Sequence, residues 1–310
     1  MPFIKEFGSY LPSRMVSSEE AGGWVDTLAT WVFNVSGIEE RRFAGKDETV
    51  CDMAVAAAKD CLQRAGLEAK DISMVLLSSG SSERQFPGPA AETALRLGIP
   101  GIPAIDLPLA SAGALFALSL ASRLTEQVGR VMVIAAEKMS QIAIREPMER
   151  GVAVLFGDGA GAALVTPDEG FVEVVDSQLA SDGSFAPDLC LDWDQPLKMN
   201  GRTVILQASR KIPGIIRSLL ERNSVDPKLV PVYLMHQANQ NLIDRVADAI
   251  GVPAERFFSN IAKYGNTSSA SMLIAASEWI DSHKLHKGDP VVFAAFGAGF
   301  HWGSLLARVC

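Results

Sequence analysis

Three polar clusters in this 310-residue chain carry side chains suited to acid–base or nucleophilic work. The first is His236, which closes the apolar run Val232-Tyr233-Leu234-Met235 and opens His236-Gln237-Ala238-Asn239. A polar cluster directly after a buried strand is where open α/β sheets place their ligands. A hydrogen-bonded core histidine fits the same pattern equally well. The second cluster is Tyr264-Gly265-Asn266-Thr267-Ser268-Ser269. It reads as a turn feeding a capped helix, because Ser and Thr bind free helix N–H groups, or as an Asn266 amide donor held at a rigid turn. The third is Ser111, which follows Asp106-Leu107-Pro108-Leu109-Ala110 and opens a helix of small residues. It is either a capping serine or a nucleophile at a helix start, where the positive dipole end and nearby N–H donors favour developing negative charge. A serine hydroxyl needs a base within hydrogen-bond reach, and His236 is the candidate base among the four histidines.

The remaining chemistry-bearing residues read as structural. Gly157-Asp158-Gly159-Ala160-Gly161 resembles a nucleotide loop, but a dinucleotide fingerprint opens a helix. Here Ala162-Ala163-Leu164-Val165 continues as a strand, so the glycines are expected at a tight turn where backbones approach closely. His283 and His286 precede a Gly-Asp-Pro turn and read as a solvated helix end, with no third metal ligand in view. His301 fits packing and site alike. Cys51, Cys61, Cys190 and Cys310 are too scattered for a metal site and read as reduced thiols in a cytoplasmic protein.

These clusters must be held by an α/β scaffold. Met74–Ser78, Arg130–Ile134 and Pro290–Ala294 are continuous apolar runs, the pattern of strands covered on both faces. Helices are expected over Val50–Ala65, Ala110–Leu124, Leu206–Arg222, Asn241–Ile250 and Ser268–Ile280. The two small-residue openings, at Ser111 and Ser268, lie 157 residues apart, as do Ile72 and Leu229 at two helix-to-strand junctions. Repeated units at one offset suggest duplication. The expectation is one body with pseudo-twofold symmetry, its halves spanning residues 1–165 and 166–310. Hydrophobic residues make up 48% and charged residues 21%, an ordinary globular balance. The net charge of -8 and the lack of a basic run argue against nucleic acid, and no apolar stretch approaches membrane-spanning length.

Taken in order, several segments resemble the β-ketoacyl-ACP synthase III family of thiolase-fold condensing enzymes. They are Gly8-Ser9-Tyr10-Leu11-Pro12, Trp31, Gly37-Ile38-Glu39-Glu40-Arg41, Arg150-Gly151, Phe156–Ala162, His236–Asn239, Gly265–Ser268 and Phe296–Gly303. The resemblance implies a duplicated five-layer α/β/α/β/α thiolase-like fold, a homodimer, and a tunnel that admits the pantetheine arm of acyl-CoA. It implies no resident cofactor and no metal. His236 and Asn266 match the family's catalytic His and Asn. Trp31 and Arg150 match the pair that sandwiches the CoA adenine, and Thr27, Gly201 and Asn239 match nucleotide- or pantetheine-side contacts. Phe86, in Arg84-Gln85-Phe86-Pro87, resembles the aromatic that reaches into the partner's acyl pocket.

The departures carry as much weight. The family's nucleophilic cysteine is expected where this chain has Leu109-Ala110-Ser111-Ala112-Gly113. A natural serine and an engineered Cys-to-Ser replacement both fit. A family arginine is Val35, and basic residues that greet an acidic carrier protein are Asn241, Asp248 and Ala249. Complementary charge sets encounter and specificity, so the acyl carrier protein is the less favoured donor. The expected activity is an acyltransferase: Ser111 takes an acyl group from acyl-CoA and passes it to an acceptor such as a malonyl thioester, in fatty-acid or polyketide-type synthesis. The alternatives are a serine-dependent thioesterase and a non-catalytic CoA-binding partner subunit. Acyl-enzyme formation separates the first two from the third, and free acid release separates the second from the first.

Overall fold

The computed structural model describes residues 1–310. The chain begins with strand β1 (Phe3–Tyr10), the short strand β2 (Arg14–Ser17), helices α1 (Ser18–Gly23) and α2 (Ala29–Ser36), and strand β3 (Glu40–Phe43), which pairs with β2. Then come α3 (Val50–Ala65), β4 (Met74–Ser78), α4 (Pro89–Arg96), β5 (Ala104–Leu107), α5 (Gly113–Val128) and β6 (Val131–Lys138). The short helices α6 (Ser140–Ala143) and α7 (Arg150–Ala153) lead into β7 (Asp158–Thr166). Strand β8 (Val172–Ser181) is followed by the small hairpin β9 (Leu189–Cys190) and β10 (Lys198–Met199), then by α8 (Gly201–Arg222), β11 (Val232–Met235) and α9 (Gln240–Ile250). The chain closes with α10 (Ile261–Tyr264), α11 (Ser271–Ser282), β12 (Pro290–Gly297) and β13 (His301–Val309).

Nine strands pair in the order β11-β12-β13-β8-β1-β7-β6-β4-β5. The order reads the same from the middle outwards. β1 and β8 meet antiparallel at Phe3↔Glu173 and Ile4↔Val172. β7 and β13 flank them, then β6 and β12, then β4 and β11. In each half the outer pair is parallel, β4 with β6 and β11 with β12. Only β5 lacks a full counterpart, which shrinks to a single bridge between Tyr233 and Phe257.

Successive strand residues point to opposite faces, and here those faces enter different cores. Leu76 of β4 and Phe293 of β12 join one cluster with Leu115 of α5 and Leu273 of α11. Leu77 and Leu164 instead meet Met53 and Ala57 of α3. Val292 and Leu306 meet Ile212 of α8 and Val246 of α9. Three cores separate five layers: α3 and α4, a sheet half, α5 with α11, the second sheet half, then α8 and α9. This is the five-layer arrangement expected from the sequence.

Local chemistry explains the element ends. α3 has a capping box, with the Asp52 amide donating to Thr49 Oγ1 and the Thr49 amide to Asp52 Oδ2, and ends at Gly66 in a left-handed conformation. β6 is buried along its whole length. One expectation is corrected. Gly159 and Gly161 lie inside β7 rather than at a turn. A Cβ on Gly161 would stand 2.5 Å from the Leu273 Cβ, so the glycines let α11 lie close against the strand.

Candidate active site

Ser111 sits two residues before α5, in a tight turn whose Ala112 amide donates to the Ala110 carbonyl at 2.7 Å. Its φ is 65°, a left-handed conformation that costs a non-glycine residue free energy. The turn is tightly enclosed. A Cβ at Gly297 would lie 2.2 Å from the Ala110 oxygen, and one at Gly113 would lie 1.8 Å from Ser78 Oγ. The Ser111 amide donates to Ser268 Oγ at 3.0 Å. Ser268, the residue at the repeat offset, is also left-handed, with φ 48°. The two halves of the molecule therefore present matching turns, and these meet at the site.

His236 leaves the end of β11 and is only 4% exposed. Its Nδ1 lies 2.6 Å from Ser271 Oγ, and that oxygen accepts the Gln237 amide at 3.0 Å. Nε2 is left as the ring nitrogen available to the cavity. Burial lowers the imidazole pKa to about 4, so the ring is neutral at pH 7. A serine hydroxyl can donate to or accept from Nδ1, so Ser271 can follow either tautomer of the neutral ring. Asn266 is held on both sides by backbone: its amide donates to the Leu155 carbonyl at 3.0 Å, and its carbonyl accepts from Gly157 at 3.1 Å. Its Oδ1 accepts the Ser268 amide at 2.9 Å, which turns Nδ2 the other way.

Ser111, His236 and Asn266 line one cavity. Most of its wall is apolar, with Ile142, Phe156, Leu197, Met199, Leu242 and Phe296 among the lining residues. A largely apolar pocket with a few convergent polar groups is the usual form of a ligand site. The five residues matched to CoA contacts lie outside that lining. Trp31 and Arg150 come together across 119 positions of sequence, with the guanidinium carbon 4.4 Å from the ring centroid. Asn239 caps α9, its Oδ1 accepting from Leu242, and its Nδ2 donates to the Val35 carbonyl at 2.7 Å. Gly201 is the first residue of α8 and has open space where a Cβ would point. Thr27 donates its amide to the Gly22 carbonyl in the loop before α2. Phe86 is 83% exposed.

Sequence reasoning missed four residues of the site. Ser271 orients His236, and its one signal was its place in the first turn of α11. Cys190 and Gly297 line the cavity from elements distant in sequence. Glu137 is fully buried behind the Ser111 and Ser268 turns. Its signal was legible: an acid directly after the apolar run Val131–Ala136, where the strand is still buried.

Comparison with known proteins places the chain in a family. The family model described as 3-oxoacyl-[acyl-carrier-protein (ACP)] synthase III matches residues 105–183. The model of that family's C-terminal region matches residues 220–309. A β-ketoacyl-[acyl-carrier-protein] synthase III from Aquifex aeolicus is 35% identical over 303 residues, covering 97% of each chain. The crystal structure of 3-oxoacyl-[acyl-carrier-protein] synthase III from that organism superposes with a TM-score of 0.95 at 34% identity, over 99% of this chain and 100% of the other. The priming β-ketosynthase of the R1128 polyketide pathway superposes with a TM-score of 0.91 at 31% identity, over 100% and 96% of the two chains. With these matches spanning nearly its whole length, the chain belongs to the β-ketoacyl-ACP synthase III family of thiolase-fold condensing enzymes.

Proposed function

We propose that this transferase decarboxylates a malonyl thioester and joins the resulting carbon nucleophile to an acyl group carried on Ser111. The observation that carries the reading is the convergence of Ser111, neutral His236 and Asn266 in one apolar cavity. In the first half-reaction Ser111 Oγ attacks the carbonyl carbon of an acyl-CoA. Its proton passes to His236 Nε2, the C–S bond breaks, and the CoA thiolate leaves with that proton. In the second half-reaction the malonyl carboxylate departs as carbon dioxide. The electron pair of the broken C–C bond becomes an enolate, whose oxygen is held by N–H donors of His236 and Asn266. Each such donor is worth about 3 kcal/mol in comparable sites. The enolate carbon attacks the Ser111 ester, and the serine oxygen leaves and takes up one proton from solvent, relayed through His236 Nε2, which ends neutral as it began.

The two halves are unequally supported by the chemistry. A base whose pKa is about 4 is weak for activating a serine hydroxyl. A thiolate would need less help, and an oxoester is a poorer electrophile than a thioester. Decarboxylation should therefore outpace acyl loading. Arg150 and Trp31 stack directly on each other and would part to admit a base between them; opened, they form a cationic and aromatic clamp suited to a nucleotide, which favours acyl-CoA as donor. The outer face of α9 mixes Asp244 and Asp248 with the exposed Arg245 rather than presenting a basic patch, which disfavours an acidic carrier. Phe86 and the open edge of β5 point to a homodimer.

Intact-protein mass spectrometry after incubation with a panel of acyl-CoAs tests the reading. An adduct mapped to Ser111, lost in Ser111→Ala and formed at least tenfold faster in Ser111→Cys, is expected. Malonyl-CoA should be converted to acetyl-CoA by both variants. Release of free acid from the adduct without transfer would replace the synthase reading with a thioesterase. No adduct and no decarboxylation would leave neither reading standing.

A further inference from the structure

We infer that Glu137 is a positioning residue that locks both catalytic turns into their left-handed conformations. The inference rests on the decarboxylation step proposed above. Glu137 lies near the end of β6, fully buried, and touches no part of the cavity. Its Oε1 accepts from the Ser269 hydroxyl at 2.7 Å and the Ser269 amide at 3.2 Å. Its Oε2 accepts from the Ser81 hydroxyl at 2.5 Å and the Gly80 amide at 3.0 Å. The Ser81 oxygen in turn accepts the Lys138 amide, which commits its proton to Glu137. The Ser79 hydroxyl adds a longer contact to Oε2 at 3.4 Å.

No cation neutralises this group. Lys138 spends its Nζ on the carbonyls of Gly45, Lys46 and Glu48. Burial pushes the Glu137 pKa up, while the hydroxyl and amide donors pull it back. The Gly80 and Ser269 amides can only donate, which fixes the carboxyl oxygens as acceptors there.

What those bonds hold is the site. Gly80 packs against the nucleophile turn, where a Cβ would meet the Ala110 Cβ at 2.8 Å. Ser268 receives the Ser111 amide through its Oγ and orients Asn266 through its own amide. Ser111 and Ser268 both hold positive φ, a strained conformation for a non-glycine residue that persists only where the surroundings over-determine it. Glu137 supplies that over-determination from one buried point, joining the end of β4 in the first half to the Ser268 turn in the second.

Steady-state decarboxylation of malonyl-CoA by wild type, Glu137→Gln, Ser268→Ala and the double variant tests this. Gln keeps the size but turns an NH₂ toward donors. Glu137→Gln is expected to lose at least tenfold in kcat, with KM for malonyl-CoA within twofold of wild type. In the Ser268→Ala background the same change should cost less than in wild type, because the hydroxyl link from Ser268 to Ser111 is already cut while the amide link to Asn266 stays. Glu137→Asp serves if the Gln variant fails to fold, with the same expected split. Unchanged kcat, a loss carried by KM, or an undiminished loss in the Ser268→Ala background would each overturn the positioning role. An inactive wild type would instead remove the decarboxylation reading and this inference with it.

Discussion

At the scale of single residues, the site is a compromise between burial and charge. His236 keeps a neutral ring because the cavity wall desolvates it, and the same desolvation weakens it as a base. This sets the acid limb of Ser111 acylation. Proton transfer needs the free imidazole, so the rate should stay level from pH 8 down to about 5 and fall as pH approaches 4. Stopped-quench acylation followed by mass spectrometry reads this directly. A limb near 6.5, the ordinary histidine value, would mean that the ring is solvated in the working enzyme. The sign for stability follows from the same shift. The unfolded chain takes up the proton near pH 6.5 and the folded one only near 4, so folding stability declines as pH falls through that interval. Thermal melts at pH 7 and 5 should differ more in wild type than in His236→Gln.

At the scale of elements, sequence and structure agree where local signals are strong. The α3 bounds, Val50–Ala65, follow from a capping box and a terminal glycine, and the β4 bounds from an uninterrupted apolar run. The starts of other helices were not legible. α5 begins at Gly113 rather than Ala110, because Ser111 is bent out of helical conformation by contacts with Ser268 and Gly297. α8 begins five residues before Leu206, at Gly201, behind the Asn200 cap. The 3-10 turn Ser268–Ala270 precedes α11 for the same reason that α5 starts late. These misses fall at the functional turns, where tertiary contacts override propensity. The close of β12 on the nucleophile turn can be tested. A methyl added by Gly297→Ala meets the Ala110 oxygen and the Ala112 nitrogen, both backbone. The turn must shift, at a cost of about 1–3 kcal/mol, and the Ser111 adduct should form at least tenfold more slowly. Unchanged acylation with unchanged urea midpoint would show that this contact does not set the turn.

At the scale of the whole molecule, the mirrored sheet order explains why no single stretch of sequence contains the site. Ser111 and Glu137 come from one half, and His236, Asn266, Ser268 and Ser271 from the other. The repeat offset was readable, but the bonds that cross it were not, because they depend on two turns meeting in space. The symmetry is broken at one edge. β5 pairs only with β4, and its Ile105 is 44% exposed. An open edge strand offers its unpaired groups to another chain. Phe86, from the loop that precedes α4, stands in solvent nearby in sequence, and Trp193 is 70% exposed. A second copy pairing along β5 would cover that edge and give Phe86 an apolar place to go. Light scattering should then report a mass near twice the 33.1 kDa chain at micromolar concentration. Ile105→Lys combined with Phe86→Asp should shift the protein to monomer and lower acyl transfer, since both changes put charge where the partner would lie. Monomeric wild type with full activity would rule out the shared site and assign the exposed edge to some other contact.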